Sequence, residues 1–178
     1  MKTFFASSFL ILFLQIFATA QDTEFKVSEA GITDFIVVAV DSVSAKDQYK
    51  KCIEWIGKTY KNPNEVIKSK IDSTSIRIEG ASDGLVHASG VSYLTRYQVE
   101  ISFREGRYKF DILSIETYSA QTGWSELPIG GSLEGYYKNG ELKKVWSFWN
   151  DIPPYFNDLS SSLKTYILNT GNSEEDKW

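Results

Sequence analysis

The 178-residue chain carries 19 Lys and Arg against 23 Asp and Glu, a formal net charge of −4, with 42% hydrophobic and 15% aromatic residues. That acidic balance argues against a nucleic-acid binder, whose affinity rests on dense positive charge meeting phosphates. One cysteine and one histidine exclude an intrachain disulfide, a thiolate metal cluster and a cysteine redox pair, and leave too few ligands for a zinc site.

Residues 1–20 read as a signal peptide. Lys2 gives a positive start, residues 3–17 are mostly apolar, and Ala18-Thr19-Ala20 is a small-x-small cleavage site, so the mature chain is expected to begin at Gln21. The apolar stretch is shorter than a membrane-spanning helix requires. No cysteine follows the small residues, so no lipid anchor is expected either. Cleavage removes Lys2 from the 19 basic residues, leaving 18 against 23 acids, a net −5 on residues 21–178. The expectation is an exported protein, periplasmic or extracellular, with one domain over 21–178 and no membrane anchor after cleavage.

Residues 32–40, ITDFIVVAV, form an apolar run of strand length, and its lack of alternation predicts cover on both faces or a place near the sheet centre. Asp41-Ser42-Val43 turns the chain. Ser44 can cap a helix, with Asp47 three residues on favouring its first turn. The helix runs to about Tyr60, before Asn62-Pro63. Its stripe of Tyr49, Cys52, Ile53, Ile56 and Tyr60 predicts a buried, inert thiol. Residues 66–71 and 75–80 are short strands around Asp72-Ser73-Thr74, and 81–90 read as a loop. Residues 91–103 and 107–118 are long strands joined at Glu105-Gly106. That turn sets Phe103 opposite Tyr108, Ile101 opposite Phe110 and Val99 opposite Ile112. It also opposes Arg104 to Arg107 and Glu100 to Asp111, so the polar face must be well solvated or partnered. Past Ile112 the apolar positions switch to Leu113 and Ile115, which predicts a bulge near Ile112 and Leu113.

Residues 119–153 mix glycine, aromatic and polar residues without long periodicity. QTGWSELPIGGS reads as loop, and Asn139-Gly140 as the turn of a second hairpin. Residues 145–149 alternate as a strand with aromatics on both faces. Pro153-Pro154 opens a final helix, about 154–168, capped by Asn150 or Asp151, with Phe156, Leu159, Leu163, Tyr166 and Ile167 as its stripe. The order strand, helix, four strands, aromatic insertion, helix predicts an α+β two-layer sandwich: a mostly antiparallel sheet with both helices on one face.

Three segments, VVAVDSVSAKDQYKKCIEWIGKTYKN, EVIKSKIDSTSIRIEG and YQVEISFREGRYKFDILSIETY, resemble exported bacterial proteins grouped as a domain of unknown function with a TATA-binding-protein-like fold. The shared features are the strand ending in a small turn, the helix with Tyr49 and Trp55, and the hairpin at Gly106-Arg107-Tyr108. The match spans about residues 34–118, and Ser75 stands where the family has glycine. The resemblance implies the strand–helix–four strands–helix topology. It implies no activity and carries over no catalytic residues.

The chemistry in the residues is sparse. His87 lies in DGLVHASG with Asp83 and Ser89 nearby, but sequence neighbours on a loop are not an organised triad. Asp22, Asp34, Asp41 and Asp47 are scattered without a calcium-loop spacing, and neither GSLEG nor IGGS has a phosphate-loop spacing. Glu100, Asp111 and Glu116 could serve an envelope carbohydrate hydrolase, which needs two acids in an aromatic cleft. Trp124, Tyr136, Tyr137, Trp146, Phe148 and Trp149 either close the core or form a platform for a protein, peptide or glycan partner. The reading is therefore a non-enzymatic binding or accessory module without cofactor or metal. Its candidate binding residues are Trp124, Tyr136, Tyr137, Trp146 and Trp149. A hydrolase, and an inhibitor or immunity-type protein that binds a partner enzyme, are the alternatives.

Overall fold

In the computed structural model, residues 23–88 and 90–169 are described; the expected signal peptide (residues 1–20), the expected start at Gln21 and the last nine residues lie outside that range. The helix set by Ser44 is α1, Ala45–Thr59. Ser44 Oγ accepts the Asp47 N–H at 3.1 Å and donates to the Asp47 carboxylate at 2.7 Å, a reciprocal cap at the positive end of the helix. A short turn of helix, α2 (Pro63–Val66), follows. The last helix is α3, Ile152–Asn169.

Two small strands, β1 (Val27–Ser28) and β2 (Gly31–Ile32), precede β3 (Phe35–Ala39). Then come β4 (Ile67–Ile71), β5 (Ser75–Ala88), β6 (Val91–Arg104), β7 (Arg107–Ser119) and β8 (Gly123–Glu126). All pairings are antiparallel, in the order β3-β7-β6-β5-β4, with β8 pairing the far half of β7. The expected register at Glu105-Gly106 is observed, including Phe103 with Tyr108, Ile101 with Phe110 and Val99 with Ile112. Residues 137–138 and 141–142 form the small hairpin β9 (Tyr137–Lys138) and β10 (Glu141–Leu142), with Asn139 and Gly140 both at positive φ, as a tight turn requires.

Helices α1 and α3 cover one sheet face. Ile76, Ile78, Val99, Ile101 and Phe110 point into it and meet Cys52, Trp55 and Ile56 of α1 and Phe156, Leu163 and Ile167 of α3. Burial pushes the Cys52 thiol well above its usual pKa, so it stays a protonated, packed side chain. Polar contacts fix the layers: Trp55 Nε1 donates to Ser162 Oγ at 3.1 Å, and the Tyr108 hydroxyl donates to the Ser160 carbonyl at 2.9 Å. Buried Gln48 donates from Nε2 to the carbonyls of Val43 (2.8 Å) and Arg104 (2.7 Å), tying the start of α1 to the hairpin turn. The first described residues are tied down too. The Phe25 N–H donates to the side-chain Oδ1 of Asn157 at 2.7 Å, and Asn157 Nδ2 donates back to the Phe25 carbonyl at 3.1 Å.

Several local expectations need correction. The apolar run around β3 is an edge strand that, among the described residues, pairs only with β7; Ile36, Val38 and Val40 face the core, while Phe35 is 38% exposed. Residues 81–88 are not loop: β5 continues past an irregularity between Ser82 and Val86, because β6 is long enough to keep pairing with it. Part of QTGWSELPIGGS is strand β8. The bulge falls where expected, since Gln98 pairs with Ser114 and Val99 with Ile112, but it turns Leu113 outward and returns Ile115 to the core. Residues 145–149 lie in a 3-10 helix, Lys144–Asp151, and not in a strand. The positive φ at the β4–β5 turn falls on Ser73, so Ser75 can take its place in the strand without being glycine.

Candidate functional site

The two long helices pack on the first sheet face, and at the second, among the described residues, only the short α2 borders the sheet, with Glu65 and Val66 at the cleft that Arg96 and Trp124 line. The second face is built from the outward side chains of β5, β6 and β7, and each carboxylate in its centre has a cation. Arg77 donates from Nε and Nη2 to Glu100 Oε2 at 3.3 and 2.9 Å. Lys109 Nζ is 2.5 Å from Asp111 Oδ2, Lys68 Nζ is 3.2 Å from Glu79 Oε1, and Gln98 donates to the other Glu79 oxygen at 3.1 Å. Arg96 grips Glu116 with two bonds, Nε to Oε2 at 2.5 Å and Nη2 to Oε1 at 2.9 Å. The cross-strand opposition of Glu100 and Asp111 is thus relieved by basic partners on either side.

This arrangement bears on the acid pair. A glycosidase needs one carboxyl held protonated, with a raised pKa. The hydrogen bonds from Arg96 hold Glu116 below the usual glutamate range, the opposite direction. His87 Nδ1 stands 3.7 Å from Asp151 Oδ2, and the His87 N–H donates to that same oxygen at 3.3 Å. Its carboxylate neighbour is thus Asp151 from the 3-10 helix, and not Asp83. Among the described residues no group of three or more His, Cys, Asp or Glu side chains could hold a metal ion.

The aromatic residues separate into two places. Tyr136 stacks on Trp146 with centroids 4.3 Å apart and on Trp149 at 6.3 Å, and Phe148 stacks on Trp149 at 5.4 Å. Trp149 is 1% exposed and joins the core; Tyr136, Tyr137, Trp146 and Phe148 are half-buried against it. This cluster caps one end of the two layers, because the 3-10 helix lays it against β5. Trp149 therefore cannot be part of an open platform, and its buried indole N–H has no partner among the described residues.

Trp124 lies elsewhere, 37% exposed on β8 and opposite Tyr118 of β7. Their rings meet edge to face at 5.4 Å, and the Arg96 guanidinium lies 4.3 Å from the Trp124 centroid. Leu94, 47% exposed, Arg96 and Trp124 line an open cleft of about 610 Å³ with Lys68 and Glu79. The outward parity of Leu94 and Tyr118 was readable from the strands. Their meeting with Trp124 depends on β8 joining β7 through the turn where Gly123 takes a φ of +71°, inside a segment that reads as loop.

No family model matches the chain, and no curated protein matches it. Two solved structures are similar over most of its length. One is a DUF4468 family protein from Bacteroides ovatus ATCC 8483, at 12% identity and TM-score 0.60, covering 86% of this chain and 93% of that one. The other is a TBP-like protein from Parabacteroides distasonis ATCC 8503, at 12% identity and TM-score 0.55, covering 76% and 91%. At that identity the likeness speaks for the fold alone: a mostly antiparallel sheet, helices on one face, in the TATA-binding-protein-like arrangement that the hairpin and the Tyr49–Trp55 helix resemble.

Proposed function

We propose that the protein is an exported, non-enzymatic binding module that presents the open face of its sheet to a polypeptide partner. The observation that carries this reading is the contiguous patch of Leu94, Arg96, Tyr118 and Trp124 beside the cleft of about 610 Å³. Tryptophan, tyrosine and arginine are the side chains that concentrate binding energy at protein interfaces, and the paired charges around them make a suitable polar rim. Glu100, Asp111 and Glu116, each engaged by a cation, support a binding face over a hydrolytic one. Ala18-Thr19-Ala20 supports export.

The test compares the protein with a Trp124→Ala/Tyr118→Ala variant as bait in envelope extracts. A partner protein, once purified, is expected to bind the variant at least about tenfold more weakly, with the variant still folded. Equal binding by both would remove the patch, and retention on immobilised glycans in place of protein would replace the polypeptide partner. Turnover of an envelope polysaccharide that Glu100→Gln abolishes would overturn the non-enzymatic reading. Export is checked separately by the intact mass of the secreted chain, expected to start at Gln21.

A further inference from the structure

Near the Glu105-Gly106 turn, the open face ends in a feature that the aromatic cleft does not use. A second cleft, of about 380 Å³, is lined there by Phe35, Val37, Ser102, Arg104, Arg107 and Lys109. Arg104 and Arg107 are directly opposed across the hairpin, an unfavourable pairing of like charges. Among the described residues neither guanidinium has a carboxylate within ion-pairing distance. The acids that could neutralise them are committed elsewhere. Glu105 accepts the Ala45 N–H at 3.1 Å, Glu100 binds Arg77, and Asp111 binds Lys109. Lys109 is held in place by that carboxylate and by the Phe35 ring, whose centroid lies 4.1 Å from its ammonium. A chain of net charge −4 thus keeps two unneutralised arginines and a fixed lysine around a partly apolar cleft.

We propose that this cleft binds a small organic anion. A carboxylate or phosphate head sits between Arg104 and Arg107, and an apolar stem lies along Phe35 and Val37. The planar guanidinium fork matches either head in bidentate fashion, which a lysine pair could not do. The volume lies in the range of small-ligand pockets, roughly 300–1,000 Å³, and exceeds what an inorganic ion fills. Leu94 is ten residues from Arg104 along β6, roughly 33 Å at strand spacing. Ligand binding here therefore neither requires nor implies the aromatic patch.

The experiment titrates the purified protein at low ionic strength with phenyl phosphate, benzoate, inorganic phosphate and benzyl alcohol, following the backbone amide shifts of residues 102–109. Phenyl phosphate or benzoate is expected to saturate these shifts, and the relative affinity of the two identifies the preferred head. Inorganic phosphate and benzyl alcohol should bind at least about tenfold more weakly, one lacking the stem and the other the charge. Arg104→Ala/Arg107→Ala should reduce the affinity by about tenfold or more with an unchanged thermal midpoint, since both side chains are exposed. Phe35→Ser should weaken phenyl phosphate but not inorganic phosphate. Absence of saturable shifts with both aromatic anions, equal binding of benzyl alcohol or of inorganic phosphate, or full affinity in the arginine double variant would each overturn the proposal.

Discussion

Gly80 sits in β5 with the Tyr97 ring so close that a Cβ on it would stand 2.3 Å from the ring carbon bearing the hydroxyl. The space is used. Tyr97 is 1% exposed, packs edge-on against Tyr155 and Phe156, and shares 3.0 Å hydrogen bonds with the hydroxyls of Tyr60 and Tyr155. Burial raises the Tyr97 and Tyr60 hydroxyl pKa values, so the three phenols form a neutral hydrogen-bonded row that joins α1, the sheet and α3. Gly80→Ala is expected to cost about 1–3 kcal/mol through overpacking, read as a lower denaturant midpoint. The two tryptophans offer a sharper contrast. Trp149→Ala empties a fully packed site and should cost about 3–5 kcal/mol, whereas Trp124→Ala, at a 37% exposed position that loses mainly its ring contact with Tyr118, should cost no more than about 1.5 kcal/mol. Equal losses in equilibrium unfolding would contradict the separation of core cap from surface patch.

Among the elements, β7 shows how one extra residue changes a face. Counting by twos from Ile115 marks Leu113 as inward, yet the bulge leaves Leu113 37% exposed and Ile115 fully buried. Leu113→Lys is therefore expected to change stability by less than about 0.5 kcal/mol. Ile115→Lys would bury an unpaired ammonium and should prevent folding. Circular dichroism melts of the two variants decide the point, and a Leu113→Lys variant that fails to fold would place that side chain inside. The bulge also sets the side chains beyond it, because it keeps Glu116 and Tyr118 on the open face where Arg96 and Trp124 meet them.

Across the molecule, opposite treatment of the two sheet faces is the main design. One face is dry and covered by helices; the other carries paired charges at neutral pH. The Arg96 hydrogen bonds lower the Glu116 pKa, so the ion pair contributes stability above the ordinary glutamate range and loses it as the pH falls through the lowered value. The stability difference between the protein and Glu116→Gln should accordingly be largest near neutral pH. It should shrink on acidification and with added salt, as urea midpoints across pH would show. A difference that grows toward acid would reverse the sign assigned to this pair.

Local physics was legible wherever a pattern needed only its own neighbours. The Ser44 cap, the α1 stripe, the Glu105-Gly106 register with its bulge, the Asn139-Gly140 turn and the two-layer architecture all follow from spacing within one or two elements. Tertiary contacts decided the rest. The apolar run at β3 could not announce that it ends at an edge, since edge or centre depends on which strands arrive later. The alternation at residues 145–149 was overridden by stacking of Tyr136, Trp146 and Trp149, which favours a 3-10 helix there. The candidate sites were only partly readable: the hairpin register already opposed Arg104 to Arg107, but Trp124 gains Tyr118 and Arg96, and Glu100 is taken by Arg77, only when separate strands align. Periodicity records which side of an element is greasy, but a surface is made by residues far apart in the chain, and their convergence has no sequence period.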